Sequence, residues 1–403
     1  MNEVEKLVFY DGFSNERHYF GTDDLPGNDE VKEDLVNILE LMDEIGKDIP
    51  ADEPWNGVNA HELDKITFQQ FVDKNMKTQQ GKEFMRIFIA TVVTSEPYEA
   101  SALWYIWYVK QCGGTKIIFS TTGGGQEFKV YGGTNQITQL IAAKLGNDRV
   151  KLENAVYSVE QNDDVCTIKT LSGSCFKSKF IIMAVPPTLQ QKIHYKPDLP
   201  AMKNQLIQRL PQGSVLKCMI YYKKSFWRNK NMCGTILFAG TDEEFPITYT
   251  IDDTKPDGTY PAIVGFLPAD KARKMMKLTK DQRYRVIAKE FAKGFNVFDE
   301  DSEPIHYEEQ NWMAEQYSGG CYTMTMAPGV MTQYLEHLRK PFGKIFYAGT
   351  ETATQWSGYI NGAVEAGERA TREILAEMGK ISKDQIYQVE PVSKEYPPIH
   401  LPV

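Results

Sequence analysis

No Cys-x-x-Cys pair occurs in this 403-residue chain, and its six cysteines (Cys112, Cys166, Cys175, Cys218, Cys233 and Cys321) are few for the length. That argues against a disulfide scaffold and suits a reducing compartment. Neither the cysteines nor the six histidines show metal-ligand spacing. No run of about 18 apolar residues is present that would make a spanning helix. The start, MNEVEKLVFYDG, is charged and then strand-like, without the apolar core of a signal peptide. The glycine signatures of nucleotide sites are also missing: there is no GxGxxG and no P-loop, nor is there a nucleophile elbow. Acidic residues are scattered, and no spacing pairs two of them for acid–base work. A net charge of −9 leaves no general basic surface, so no nucleic-acid partner is expected, while small cationic substrates stay open.

The composition is that of a globular protein, 42% hydrophobic and 25% charged, with length enough for two domains. Leu35, Ile38, Leu39, Met42 and Ile45 recur at helical spacing over 31–47, and helices continue through 65–111. The aromatic run Trp104, Tyr105, Trp107 and Tyr108 reads as a buried helix face. Two glycine clusters flank a predicted strand at 128–131. A short helix follows from Thr134, with Ile137, Leu140, Ile141 and Leu145 on one face and Gly146 as its stop. Short strands are predicted over 149–184. The last, Phe180 to Val185, is apolar throughout and reads as buried on both faces. Further strands are predicted at 213–223 and 344–348, with helices at 279–295 and 358–378. The polar, proline-bearing tail from Lys380 reads as an extended peripheral segment.

Alternating strands and helices in 131–206 and 315–378 suggest an α/β nucleotide-type domain assembled from separate segments. The intervening 1–130 and 207–314 would form a second domain, of mixed sheet and helices, and 379–403 the tail.

Three places could carry chemistry. Lys217 shares a strand face with Val215, Met219 and Tyr221, so it must have a depressed pKa, a partner, or a stem that carries its ammonium to the strand edge. In Ser318-Gly319-Gly320-Cys321-Tyr322, two glycines allow close backbone approach to a planar ligand, and a cysteine beside such a site is either an attachment point or a small buried hydrophobe. Ala348-Gly349-Thr350-Glu351-Thr352 leads from a buried strand toward a helix, a way to present backbone N–H groups to an anion. Gly362, Ala363, Ala366, Gly367 and Ala370 on that helix serve either tight helix–sheet packing or a ligand contact.

Taken in order, these blocks resemble the flavin-containing monoamine oxidases of animals. The resemblance runs through Asn2-Glu3-Val4-Glu5, Ser101-Ala102-Leu103-Trp104, Tyr108 to Gly114, Gly124-Gly125-Gln126-Glu127 and Gly213 to Cys218. It continues through Ser318 to Thr323, Ala348 to Thr354 and Trp356-Ser357-Gly358-Tyr359. It implies a doubly wound FAD-binding domain built from discontinuous segments, with FAD bonded through its 8α carbon to Cys321. Tyr322 and Tyr359 would face each other before the flavin, and Lys217 would hold a water near its N5. Trp312 would lie near the ring, with Val156, Gly349, Thr350 and Glu351 in FAD-contacting segments. Phe119, Gln126, Tyr249 and Phe266 would line the substrate cavity.

The implied reaction takes a primary amine, oxygen and water to an aldehyde, ammonia and hydrogen peroxide. The resemblance also implies the cytosolic face of the outer mitochondrial membrane and a possible homodimer. In the family, the first βαβ unit with its glycine loop precedes the block at Asn2, and a membrane helix closes the chain. Thr323 to Ala327 departs from the usual threonine–aromatic–proline run, and Gln355 stands where histidine is frequent. Phe119 resembles one vertebrate form's cavity and Tyr249 the other's, which predicts overlapping substrates. The alternatives are a non-catalytic homologue that retains no FAD, or an oxidase of polyamines or methylated lysine. Relatives of the polyamine and methyl-lysine kind generally lack the bonding cysteine.

Overall fold

Period-two alternation along Val215–Tyr222 places Leu216, Cys218, Ile220 and Tyr222 on a fully buried face and makes this segment an inner strand of the largest sheet. The computed structural model describes residues 6–387 other than 13–15, 22–23, 121–122, 147, 241–245 and 299. The block at Asn2–Glu5 and the tail beyond Tyr387 lie outside the described residues.

In chain order the described strands are β1 (Leu7–Asp11), β2 (Glu16–Phe20), β3 (Val156–Gln161), β4 (Cys166–Thr170), β5 (Cys175–Ser178), β6 (Ile181–Met183), β7 (His194–Lys196), β8 (Val215–Tyr222), β9 (Ile236–Ala239), β10 (Tyr249–Asp252), β11 (Ala262–Pro268), β12 (Pro304–Asn311) and β13 (Ile345–Tyr347). They form a seven-stranded sheet ordered β12-β8-β11-β10-β9-β1-β2, a four-stranded sheet β5-β4-β3-β7 and a parallel pair β13-β6. The architecture is mixed α/β. The large sheet draws on both ends of a long stretch, since β1 pairs in parallel with β9 across more than 200 residues of sequence.

A helical layer fills one core. The helices Asp29–Lys47, Phe68–Asn75, Gln79–Val93 and Ala102–Gln111 start on capping side chains from Asn28, Thr67, Thr78 and Ser101, each satisfying a first-turn N–H. The aromatic run lies as expected: Trp104, Tyr105, Trp107 and Tyr108 are all buried, in a helix enclosed nearly all round. Burial of each such ring stabilises the fold by about 3 kcal/mol gross. A second core lies between the large sheet and the helix Lys280–Phe295. A third joins the four-stranded sheet to β6 and β13.

Two sequence expectations need correction. Residues 128–131 form no strand; with Gly132 and Gly133 at positive φ just beyond, that segment is an exposed connection. The apolar run at 180–185 yields only β6, buried on one face: Ile181 and Met183 point into the core while Ile182 is exposed, with none of the described residues packed over its side of the pair. The helix Asn135–Leu145 ends at Gly146 as expected, but it buries none of its residues, and Leu140, Ile141 and Leu145 face outward.

Candidate active site

The antiparallel register of the large sheet sets Lys217 on β8 opposite Phe266 on β11, and Phe266 opposite Tyr249 on β10. Opposed residues share a sheet face, so the three form a row across the strands. The Tyr249 and Phe266 rings stack with centroids 4.5 Å apart and planes 7° from parallel. Lys217 Nζ lies 5.6 Å from the Phe266 centroid, within reach of a cation–π attraction. Of the alternatives open for Lys217, the exposed ammonium is the one found. The buried face of β8 is the other one, and Lys217 is exposed on the face that carries the aromatic row. On the opposite flank, β12 ends at Asn311, whose side chain accepts from Met313 N–H at 3.2 Å. Trp312 sits in the resulting turn against β8, 37% exposed.

Cys321 and Tyr322 reach this row from a separate segment. Gly320, at φ +134°, runs so close to the entry of β8 that a Cβ there would fall 2.3 Å from the Gly213 carbonyl oxygen. Cys321 N–H donates to the Gly213 carbonyl (3.0 Å), and Gly213 N–H donates to that of Thr323 (3.0 Å). The peptide between Cys321 and Tyr322 is cis. The Tyr322 hydroxyl lies 3.2 Å from that of Tyr249. Burial pushes the Cys321 thiol up to about 12, with the Lys217 ammonium pulling the other way, so these two residues are electrostatic neighbours. Burial, reinforced by Tyr249, raises the Tyr322 phenol well above its ordinary value.

A second group forms where β13 turns toward the helix Ile360–Glu377. Gly349 takes φ +93°, and the Thr350 hydroxyl accepts from Gly358 N–H (2.7 Å) and donates to the Tyr359 carbonyl (2.9 Å). Tyr359 is the helix N-cap without a side-chain capping bond, so the positive helix end lies open beside it. Its hydroxyl is bonded to Tyr108, and its ring meets Trp356 edge-on at 5.2 Å. Gly362 is needed for packing, since a Cβ there would fall 2.2 Å from the Trp356 carbonyl oxygen; Gly367 faces open space.

Phe119 closes a short helix (Thr115–Phe119), half-buried and tilted against Phe88 at 5.5 Å. Gln126 is exposed in a turn whose Gly125 abuts the Trp356 ring. Glu351 is buried (7% exposed), which raises its pKa, while the Gln212 amide donates to it at 3.2 Å. Gln212 thereby connects the Cys321 segment to the Gly349–Glu351 turn. Val156, at the start of β3, packs against the core that includes Ile181, Met183, Ile345 and Tyr347, the strand residues leading to that turn.

Sequence reasoning gave no role to Tyr108, Gln111, Gln212 or Thr94. Tyr108 was visible as the helical neighbour of Trp104 four residues away. Gln111 accepts from Ser357 N–H at 2.7 Å, a contact between segments 246 residues apart that no local pattern announces. No three or more His, Cys, Asp or Glu gather as a metal site among the described residues.

Known proteins are similar to this chain in sequence and in fold. Residues 14–375 match the family described as flavin containing amine oxidoreductase. The chain is 51% identical over 399 residues to the flavin-containing amine oxidase B of Mus musculus, covering 98% of this chain and 75% of that protein. It is 53% identical over 364 residues to the flavin-containing amine oxidase A of Sus scrofa, covering 90% and 68%. Among solved structures, the cyclohexylamine oxidase from Brevibacterium oxydans superposes with a TM-score of 0.84 at 27% identity, covering 93% of this chain and 81% of that one. A putrescine oxidase bound to putrescine gives 0.85 at 26% identity, covering 93% and 81%. The chain therefore belongs to the family of flavin-containing amine oxidases, enzymes that deaminate amines oxidatively.

Proposed function

We propose that this protein oxidises small primary aryl-alkylamines with oxygen and water to aldehyde, ammonia and hydrogen peroxide, and that it holds FAD covalently through Cys321. The observation that carries the reading is the convergence of the Cys321 thiol, the Lys217 ammonium and the Tyr249–Phe266–Tyr322 aromatic group from four separate segments.

The residues fit a flavin. A half-buried thiol stands beside an exposed lysine, and an uncapped helix end adjoins the second aromatic group. A planar ring system carrying negative charge when reduced would be held by Cys321, Trp312, the Gly349–Glu351 turn with Val156 near it, and the positive end of the helix Ile360–Glu377. Bound there, FAD supplies the electron sink for the amine's two electrons and returns them to oxygen.

The chain's own residues do the rest. Tyr322 and Tyr359 guide the amine, while Phe119, Gln126, Tyr249 and Phe266 line its path. Low polarity along this path disfavours the ammonium form and delivers the amine with its lone pair free. Lys217 holds a water where oxygen is to react.

The segments 131–206 and 315–378 are assigned to the cofactor domain, and 1–130 with 207–314 to the substrate domain. Location at the cytosolic face of the outer mitochondrial membrane and assembly as a homodimer belong to the same proposal. Among the described residues, no helix is long and apolar enough to cross a membrane. Identities of 51% to a B form and 53% to an A form do not separate the two; the mixed cavity and overlapping substrates rest on Phe119 and Tyr249. The test is peroxide release by the purified protein on serotonin-like and phenylethylamine-like amines. Activity on both supports the reading, and a large preference for one class contradicts the mixed cavity.

A further inference from the structure

Thr94 stands outside every role described so far, yet it is the point where the Cys321 segment is held. It caps the helix Gln79–Val93 in the left-handed region, at φ 53° and ψ 32°. A β-branched residue there is a genuine outlier and costs on the order of 1 kcal/mol, whereas glycine or asparagine fills such a cap without strain. The side chain is fully buried.

Its hydroxyl donates to the Cys321 carbonyl and accepts from Tyr322 N–H at 3.0 Å, so one atom grips both ends of the peptide joining those residues. The Val93 carbonyl, 2.7 Å away, is its alternative acceptor. Meanwhile the Thr94 carbonyl accepts from Ser214 N–H at 2.8 Å, tying the same residue to the entry of the strand that carries Lys217. Gly213 leaves the room required: a Cβ there would lie 2.0 Å from Thr94 Oγ1. A helix cap alone needs none of this. What only a hydroxyl supplies is the grip on Cys321 and Tyr322.

We propose that Thr94 is a positioning residue that fixes the Cys321 thiol and the Tyr322 ring relative to Lys217. This rests on the reading of Cys321 as the flavin-bearing residue. Small misplacement of groups around a reacting centre costs on the order of a hundredfold.

The test compares wild type with Thr94→Val, Thr94→Ala and Thr94→Ser, each expressed as the full chain with riboflavin supplied. Measured are the acid-stable flavin fraction, kcat and KM, and the melting midpoint. Thr94→Val keeps the shape and loses the grip; Thr94→Ala does the same without the branched methyl, should the valine variant fail to fold. The proposal expects Val and Ala to lose acid-stable flavin on the order of tenfold, with kcat falling more than KM rises, and Ser to restore both. Equal flavin fractions and kinetics in folded Val or Ala variants and wild type would overturn it, as would a Ser variant no better than Ala.

If wild type itself carries no acid-stable flavin, the Cys321 reading fails separately. Thr94 is then judged by iodoacetamide alkylation of Cys321 against the exposed Cys175. A change confined to Cys321 in Val and Ala, and absent in Ser, supports the positioning role. An unchanged ratio overturns it.

Discussion

The hydroxyls of Tyr322 and Tyr249 lie 3.2 Å apart, so the residue that follows Cys321 is held by a tyrosine from β10. Tyr249 in turn stacks on Phe266, beside Lys217. The aromatic row and the cysteine segment are therefore joined through the Tyr249–Tyr322 hydroxyl pair.

A double-mutant cycle measures that link. Tyr249→Phe and Tyr322→Phe each remove one end of the hydroxyl pair. The coupling energy for substrate oxidation should be about 1 kcal/mol, the net worth of one such bond. Additive effects on kcat/KM would show that the pair does not act together.

Lys217→Met tests the lysine's assignment to the oxygen side. The oxygen-dependent half of the cycle should slow on the order of tenfold or more, while anaerobic oxidation of the amine changes little. Equal slowing of both halves would place Lys217 elsewhere in the chemistry.

The thiol of Cys321 is pushed up to about 12 by burial. In flavin-free protein its alkylation should therefore keep accelerating with pH beyond the ordinary value of 9.0, and near pH 8 it should run at least tenfold slower than at the exposed Cys175. Lys217→Met should slow it further, since the ammonium is the group that favours the thiolate. Rates of Cys321 and Cys175 that coincide across the pH range would contradict this.

Glu351 carries a pKa raised by burial above its ordinary 4.5. The unfolded chain then releases this proton at lower pH than the folded one. Its stabilising effect is complete below about 4.5 and is lost as pH rises through the folded value. Glu351→Gln removes this dependence. The melting midpoint of the variant relative to wild type should rise between pH 4.5 and pH 7.5. A constant difference would mean that Glu351 titrates alike in both states.

Much of this was legible in the sequence, for identifiable reasons. The helix Lys280–Phe295 begins at Thr279 with a capping box completed by Gln282 and ends at Asn296 in the left-handed region, all local signals. Lys217 and Cys321 stood out as chemistry-bearing residues in apolar or glycine-rich settings. Which face of β8 is buried stayed open in the sequence, because alternation is visible in Val215–Tyr222 but both faces are rich in apolar residues. Packing against the helix Lys280–Phe295 decides the matter, and that is a long-range contact. Thr94 was invisible for a related reason. Its hydroxyl contacts lie with Gly213 and Cys321, distant in sequence, and threonine carries no local preference for the left-handed cap it fills. The apolar stripe of the helix Asn135–Leu145 was read correctly as a stripe, but spacing alone does not say what faces it.

The central claim is that Cys321 bears the flavin, and one measurement addresses it directly. Purified protein is precipitated with acid, digested, and its flavin-bearing peptide sequenced, beside a Cys321→Ala variant treated identically. The account predicts that the flavin absorbance stays with the precipitate, maps to the peptide containing Cys321 and Tyr322, and is absent from the variant's precipitate. Flavin released wholly into the supernatant by wild-type protein, or retained equally by Cys321→Ala, would contradict it.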